Sequence, residues 1–200
     1  SNQQLPARLR GMYFELSRTS RNYPITRKRA IRSLIFLPKE TLEAPSVAEK
    51  VRIVLLEGLD AQVMLRRETA LTLADLIKVA PEVFVETKFL SEVTKQVMKE
   101  KDYQTRLGML IAFMRFGGSG VQLPADLKGF VALRLLGNKG LLKPEILDEL
   151  LQSPETWISE PLIRRALTDI IMGIMAGSFE WEPKILSLYL WPMDINHQEL

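Results

Sequence analysis

Thr26-Arg27-Lys28-Arg29-Ala30-Ile31-Arg32-Ser33-Leu34 and Leu65-Arg66-Arg67-Glu68-Thr69-Ala70-Leu71-Thr72-Leu73 superpose without a gap, arginine on arginine. Thr105-Arg106-Leu107-Gly108-Met109-Leu110-Ile111-Ala112-Phe113 and Ile163-Arg164-Arg165-Ala166-Leu167-Thr168-Asp169-Ile170-Ile171 join the same alignment. Three residues past the arginine stand Ala30, Thr69, Met109 and Leu167; seven past, Leu34, Leu73, Phe113 and Ile171; ten past, Leu37, Leu76, Phe116 and Ile174. Offsets of three, seven and ten fall on one side of a 3.6-residue helix, so the alignment describes one inward stripe used four times. The arginines are 39, 40 and 58 residues apart, and the longer third interval holds room for one more helix, placed at 143–152.

Working outward from these segments, nearly every long stretch repeats apolar residues at three-and-four spacing, and alternation by two never persists. The chain therefore reads as all-α. Helices are predicted over 6–19, 26–37, 46–58, 61–79, 81–99, 102–116, 123–137, 143–152, 160–176 and 182–191. Prolines 24, 38, 45, 81, 124, 144, 154, 161 and 183 fall between them, where a missing N–H and a fixed φ are tolerated, several at a first helical turn. Gly117-Gly118, Gly137 and Gly177 are expected to stop helices in the left-handed conformation.

A repeat of about 40 residues, each holding two helices, resembles the HEAT and armadillo class of helical repeats. Leu59-Asp60 ahead of Leu65-Arg66, and Asp102 ahead of Thr105-Arg106, are similar to the aspartate and arginine of a HEAT unit's first helix. The first repeat departs from that pattern, with Thr26 and no aspartate, and the fourth has Glu160 instead. The resemblance covers about 24–191 and implies an α-α superhelix, a HEAT-like solenoid of about four to five helix pairs. It implies a single helical-repeat domain over 1–200: a basic N-terminal capping helix and linker at 1–23, the repeats at 24–191 and a tail at 192–200. Since a lone helix pair cannot bury its apolar face, pairs stack and leave a concave wall, the usual place for function. Arg27, Arg66, Arg106 and Arg164 are then expected to set the stacking, each bonding carbonyls or an acid of the adjacent repeat.

Composition narrows the chemistry. The 200 residues contain no cysteine and one histidine, with 46% apolar and 26% charged residues. Disulfide frameworks, thiolate metal sites and cysteine nucleophiles are excluded, and an intracellular setting, cytoplasmic or nuclear, is expected. No apolar run approaches the roughly 20 residues of a membrane span. The lone His197 lies four residues from the end and reads as a tail residue. Asp148-Glu149 and Glu180 with Glu182 read as solvated carboxylates. Phe116-Gly117-Gly118-Ser119-Gly120-Val121 lacks the Lys-Ser or Lys-Thr of a phosphate loop and reads as a helix-ending turn. Met98, Met109, Met114, Met172 and Met175 read as fillers of the core. No catalytic set, cofactor or metal site is expected.

Net charge carries the remaining signal. The overall +3 conceals eight basic residues against the single acid Glu15 in 1–35, while the other 165 residues hold 19 basic against 23 acidic. Arg8, Arg10, Arg18, Arg21, Arg27, Lys28, Arg29 and Arg32 form this basic end, seven of them arginines, whose planar fork suits carboxylate or phosphate. The expected function is a non-catalytic protein–protein interaction scaffold, a module of a larger protein or assembly. It would present the basic end and the concave wall to an acidic or amphipathic protein partner. Nucleic acid held through its phosphates is the alternative, and an anionic membrane surface ranks below it. At the other end, Phe179, Trp181, Tyr189 and Trp191 concentrate aromatic surface and mark an aromatic interface or the closure of the core.

Overall fold

A computed structural model describes residues 24–121, 144–152, 156–157 and 161–177. All regular structure among them is helical, with no strand. The chain divides into two compact units, Ser1–Val121 and Gln122–Leu200.

The first unit contains α1 (Pro24–Ser33), a 3-10 turn (Leu34–Phe36), α2 (Lys39–Glu43) and α3 (Pro45–Leu59). It continues with α4 (Val63–Val79), a second 3-10 turn (Pro81–Phe84), α5 (Thr87–Lys99) and α6 (Tyr103–Gly118). Pro45 opens α3 after the extended Ala44, at the position where a missing N–H costs nothing. Asp102 caps α6 by accepting from the Thr105 N–H at 2.9 Å and from its hydroxyl at 2.8 Å, satisfying a donor that has no partner within the helix.

Three of these helices lie side by side, with α4 between α1 and α6. Arg67 meets Asp102, Ala70 faces Gly108, and Asp75 meets Arg115. These partners ascend together, so α4 and α6 run parallel. Lys28 with Glu68 and Arg32 with Asp75 make α1 parallel to α4 in the same way. Parallel neighbours require a returning helix between them. The chain comes back through α3 and α5, which pack on each other, α3 also touching α1 and α4.

The aligned arginines occupy one register. Arg27, Arg66 and Arg106 are each the fourth residue of α1, α4 and α6. The stripe counted from them is buried at every position of the first unit: Ala30, Leu34 and Leu37; Thr69, Leu73 and Leu76; Met109, Phe113 and Phe116. Each large apolar side chain so buried contributes roughly 1.5–3 kcal/mol. Two glycines set how closely the helices approach. A Cβ on Gly108 of α6 would lie 3.0 Å from the Ala70 Cβ and 3.2 Å from the Ala70 carbonyl carbon. A Cβ on Gly58 of α3 would collide with the Thr69 hydroxyl oxygen and reach 3.2 Å from Ile31, so α3 wedges its last turn between α1 and α4.

Boundaries depart from expectation in four places. The helix predicted over 26–37 turns 3-10 after Ser33, and that over 81–99 is broken at Val85 and Glu86. The five-residue α2, too short to show a period, went unseen. Gly117 and Gly118 do not stop α6 by positive φ: the helix runs through them, and the left-handed residue is Gly120, at φ 78°.

In the second unit, α7 (Pro144–Gln152) and α8 (Pro161–Met175) flank helical residues 156–157. Arg164 is again the fourth residue of its helix, and Gly177 follows with φ 71°. Here Leu167 is buried, whereas Ile171 and Ile174 are half-buried. Trp157, Leu147 and Leu150 are fully buried. The spans predicted over 6–19, 123–137 and 182–191, the stop at Gly137 and the tail with His197 lie outside the described residues.

Candidate partner-binding surface

Of the eight residues of the basic end, Arg8, Arg10, Arg18 and Arg21 lie outside the described residues. Three of the other four are engaged within the chain. Arg27 is buried and approaches Glu57 of α3 at 4.0 Å. Lys28 reaches Glu68 of α4 at 3.3 Å, and Arg32 spans Glu68 at 3.7 Å and Asp75 at 2.6 Å. Arg29 is exposed and has no ion pair among the described residues. The run of charge at 27–32 is thus split by helix geometry: the residues facing α3 and α4 meet acids, and the one facing outward does not.

The repeated arginines differ in what they meet. Arg66 donates from Nη1 to the Ala61 carbonyl at 2.7 Å, and from Nε and Nη2 to the Glu100 carboxylate at 2.7 and 3.3 Å. Glu100, whose side chain is nearly buried, also accepts the Asp102 N–H at 2.8 Å. Beside it, Arg67 holds Asp102 through two bonds, at 3.0 and 2.6 Å. The Arg67 hydrogen bond, with those from Thr105, keeps the Asp102 carboxyl well below the usual carboxylate range. Two consecutive arginines of α4 therefore clamp the short link that leads into α6. By contrast the Arg106 Nε is buried with no hydrogen-bond partner. Arg164 makes no ion pair among the described residues, its carbonyl accepting the Thr168 hydroxyl at 3.0 Å.

Other charges tie helices together as well. Asp75 of α4 accepts from Arg32 of α1 at 2.6 Å and from Arg115 of α6 at 2.9 Å, so one carboxylate bridges all three parallel helices. Arg52 of α3 bonds the Val83 carbonyl at 2.8 Å and Glu86 at 3.0 Å, fixing the break before α5. These bridges are what the sequence reading missed. Their signal, acids and basic residues 34–43 positions apart, becomes visible only once the helix packing is known.

The outward surface also holds apolar residues. Ile25, Phe36, Met98, Met172 and Met175 are exposed, Phe36 by 76%. Of the five methionines expected in the core, Met109 and Met114 are buried, whereas Met98, Met172 and Met175 are exposed. Met98 follows Val97, the last residue of α5's buried stripe, and turns away from it. Asp148 is exposed but Glu149 is buried, which corrects the reading of both as solvated. Phe179, Trp181, Tyr189 and Trp191, with Glu180 and Glu182, lie outside the described residues. Among the described residues no helix is long and apolar enough to cross a membrane.

No protein-family model matches the chain, and no curated protein and no solved structure matches it.

Proposed function

We propose that this chain is a non-catalytic scaffold, a HEAT-like helical-repeat module of a larger intracellular protein or assembly that binds a protein partner through its basic end and the concave wall of its stack. The observation that carries the reading is the common register of α1, α4 and α6, parallel helices that start three residues before matching arginines and bury matching stripes. Stacked helix pairs generate that arrangement, because each new pair repeats the contacts of the last. The aromatic set Phe179, Trp181, Tyr189 and Trp191 belongs to the same proposal as a second contact region.

Pairing within the chain favours protein over nucleic acid. Affinity for a phosphate backbone grows with the number of phosphates neutralised, and Arg27, Lys28 and Arg32 already face carboxylates. The test is chemical crosslinking of the full chain in cells, comparing the parent with Arg8→Glu, Arg10→Glu and Arg29→Glu combined. The scaffold reading expects discrete protein adducts that the triple variant loses. Absence of adducts from the parent, together with duplex or single-strand binding that weakens steeply with salt, would overturn it in favour of nucleic acid.

A further inference from the structure

Helix geometry sets Lys88, Lys95 and Lys99 on one line along α5, seven and four residues apart, opposite the buried Phe89, Leu90, Val93 and Val97. All three lysines are exposed, as are Lys101 just past the helix and Met98 beside the line, the last by 57%. The acids nearest in sequence are turned elsewhere: Glu86 pairs with Arg52, Glu100 with Arg66 and Asp102 with Arg67. Glu92 is the one acid of α5 itself. It accepts from Lys95 at 2.7 Å, and that bond, with the charges of Lys95, Lys88 and Lys99, lowers its carboxyl below the ordinary value. Lys88, Lys99 and Lys101 make no ion pair among the described residues. Arg29, Lys78 and Arg106, in the same condition, stand singly on α1, α4 and α6. Uncompensated positive charge in the first unit therefore gathers on α5 and its end.

We infer that the outward face of α5 formed by Lys88, Lys95, Lys99 and Met98 is a docking site for an acidic amphipathic helix of a protein partner. This rests on the scaffold reading and names both a surface and the partner's chemistry. Lys88 and Lys99 are eleven residues apart, about 17 Å along the helix at 1.5 Å per residue. Two glutamates at the same interval on the partner helix meet these two ammoniums, and a leucine beside the second covers Met98, anchors at helical spacing. Glu92 sets the choice of occupant. A phosphate polymer carries a charge every 3.4 Å or so of each strand, and an anionic membrane is charged throughout, so either sets negative charge against Glu92 as well as against the lysines. A helix can hold alanine there and leave the Glu92–Lys95 pair intact.

The experiment titrates the full chain into a fluorescent alanine-based helical peptide with glutamates eleven residues apart and a leucine just before the second. Expected is saturable binding that salt weakens, as screening of exposed charges requires. Lys88→Glu combined with Lys99→Glu should bind at least about tenfold more weakly, since two attractions become repulsions, and should instead prefer the peptide whose glutamates are replaced by lysines. Both positions are exposed, and circular dichroism confirms that the variant stays folded. No binding, equal binding by parent and variant, no reversal of preference, or tighter binding of the parent to single-stranded DNA or to phosphatidylserine vesicles would each overturn the site. If it falls while the cellular crosslinks persist, the scaffold acts through another surface; if the crosslinks are also missing, both readings fall.

Discussion

Arg66 and Arg106 stand at the same place in two parallel helices, each the fourth residue, yet what their Nε groups meet differs. Arg66 places its guanidinium between the Ala61 carbonyl and the Glu100 carboxylate and fills both. Arg106 buries its Nε without a partner. Thirty-four residues separate Arg66 from Glu100, and the same step from Arg106 arrives at Gly140, with Leu136, Gly137, Asn138 and Lys139 before it and no acid among them. The position of each arginine follows from the helix register, and its bonds depend on what the neighbouring segments supply.

The comparison is broken most severely at the seam the two sites share. Gly108→Val drives a branched side chain into the α4 backbone at Ala70 and Leu71, which cannot yield as a side-chain tip would. About 3 kcal/mol of stability should be lost, the upper part of the usual cost of overpacking, read as a lowered midpoint in thermal or urea unfolding. Arg66→Ala comes next. It leaves the nearly buried Glu100 with the Asp102 N–H alone, at an expected cost of about 2 kcal/mol in the same measurement.

Asp102→Asn should have a smaller effect with a characteristic pH dependence. Because the folded-state pKa of Asp102 is depressed by Arg67 and Thr105, its contribution is present above the ordinary aspartate pKa and is lost as pH falls through the folded value. The gap between parent and variant should be full at pH 7 and shrink through strong acid; a gap that stays constant would refute the assignment. Smallest of all is Arg106→Met, expected to stay within about 0.5 kcal/mol of the parent, since the buried Nε it removes bonds nothing. A loss there as large as that of Arg66→Ala would erase the contrast between the two arginines.

The arginine alignment made much of the helical order readable, because a stripe at offsets three, seven and ten is a local property of one helix. Pro45 and Asp102 placed two helix starts to within a residue of their observed positions. What was illegible depends on neighbours. Nothing local distinguishes Lys28, drawn to Glu68, from Arg29, left in water. Nor does spacing tell Val97 from Met98 as the last inward residue of α5. The break at 85–86 escaped because Val83 and Phe84 are buried in a 3-10 turn and continue the apolar pattern across it. Glu100, Asp102, Glu68 and Asp75 lie 34 to 43 residues beyond the Arg66, Arg67, Lys28 and Arg32 they meet, so the sequence held the partners but not their pairing.

The parallel course of α1, α4 and α6 has an electrostatic consequence. Each of these helices presents partial negative charge at its C-terminal end, and because the three run parallel those ends lie on the same side. Arg32, Lys78 and Arg115 stand in those three last turns. Each of the three helices therefore brings its own counter-charge to its negative end.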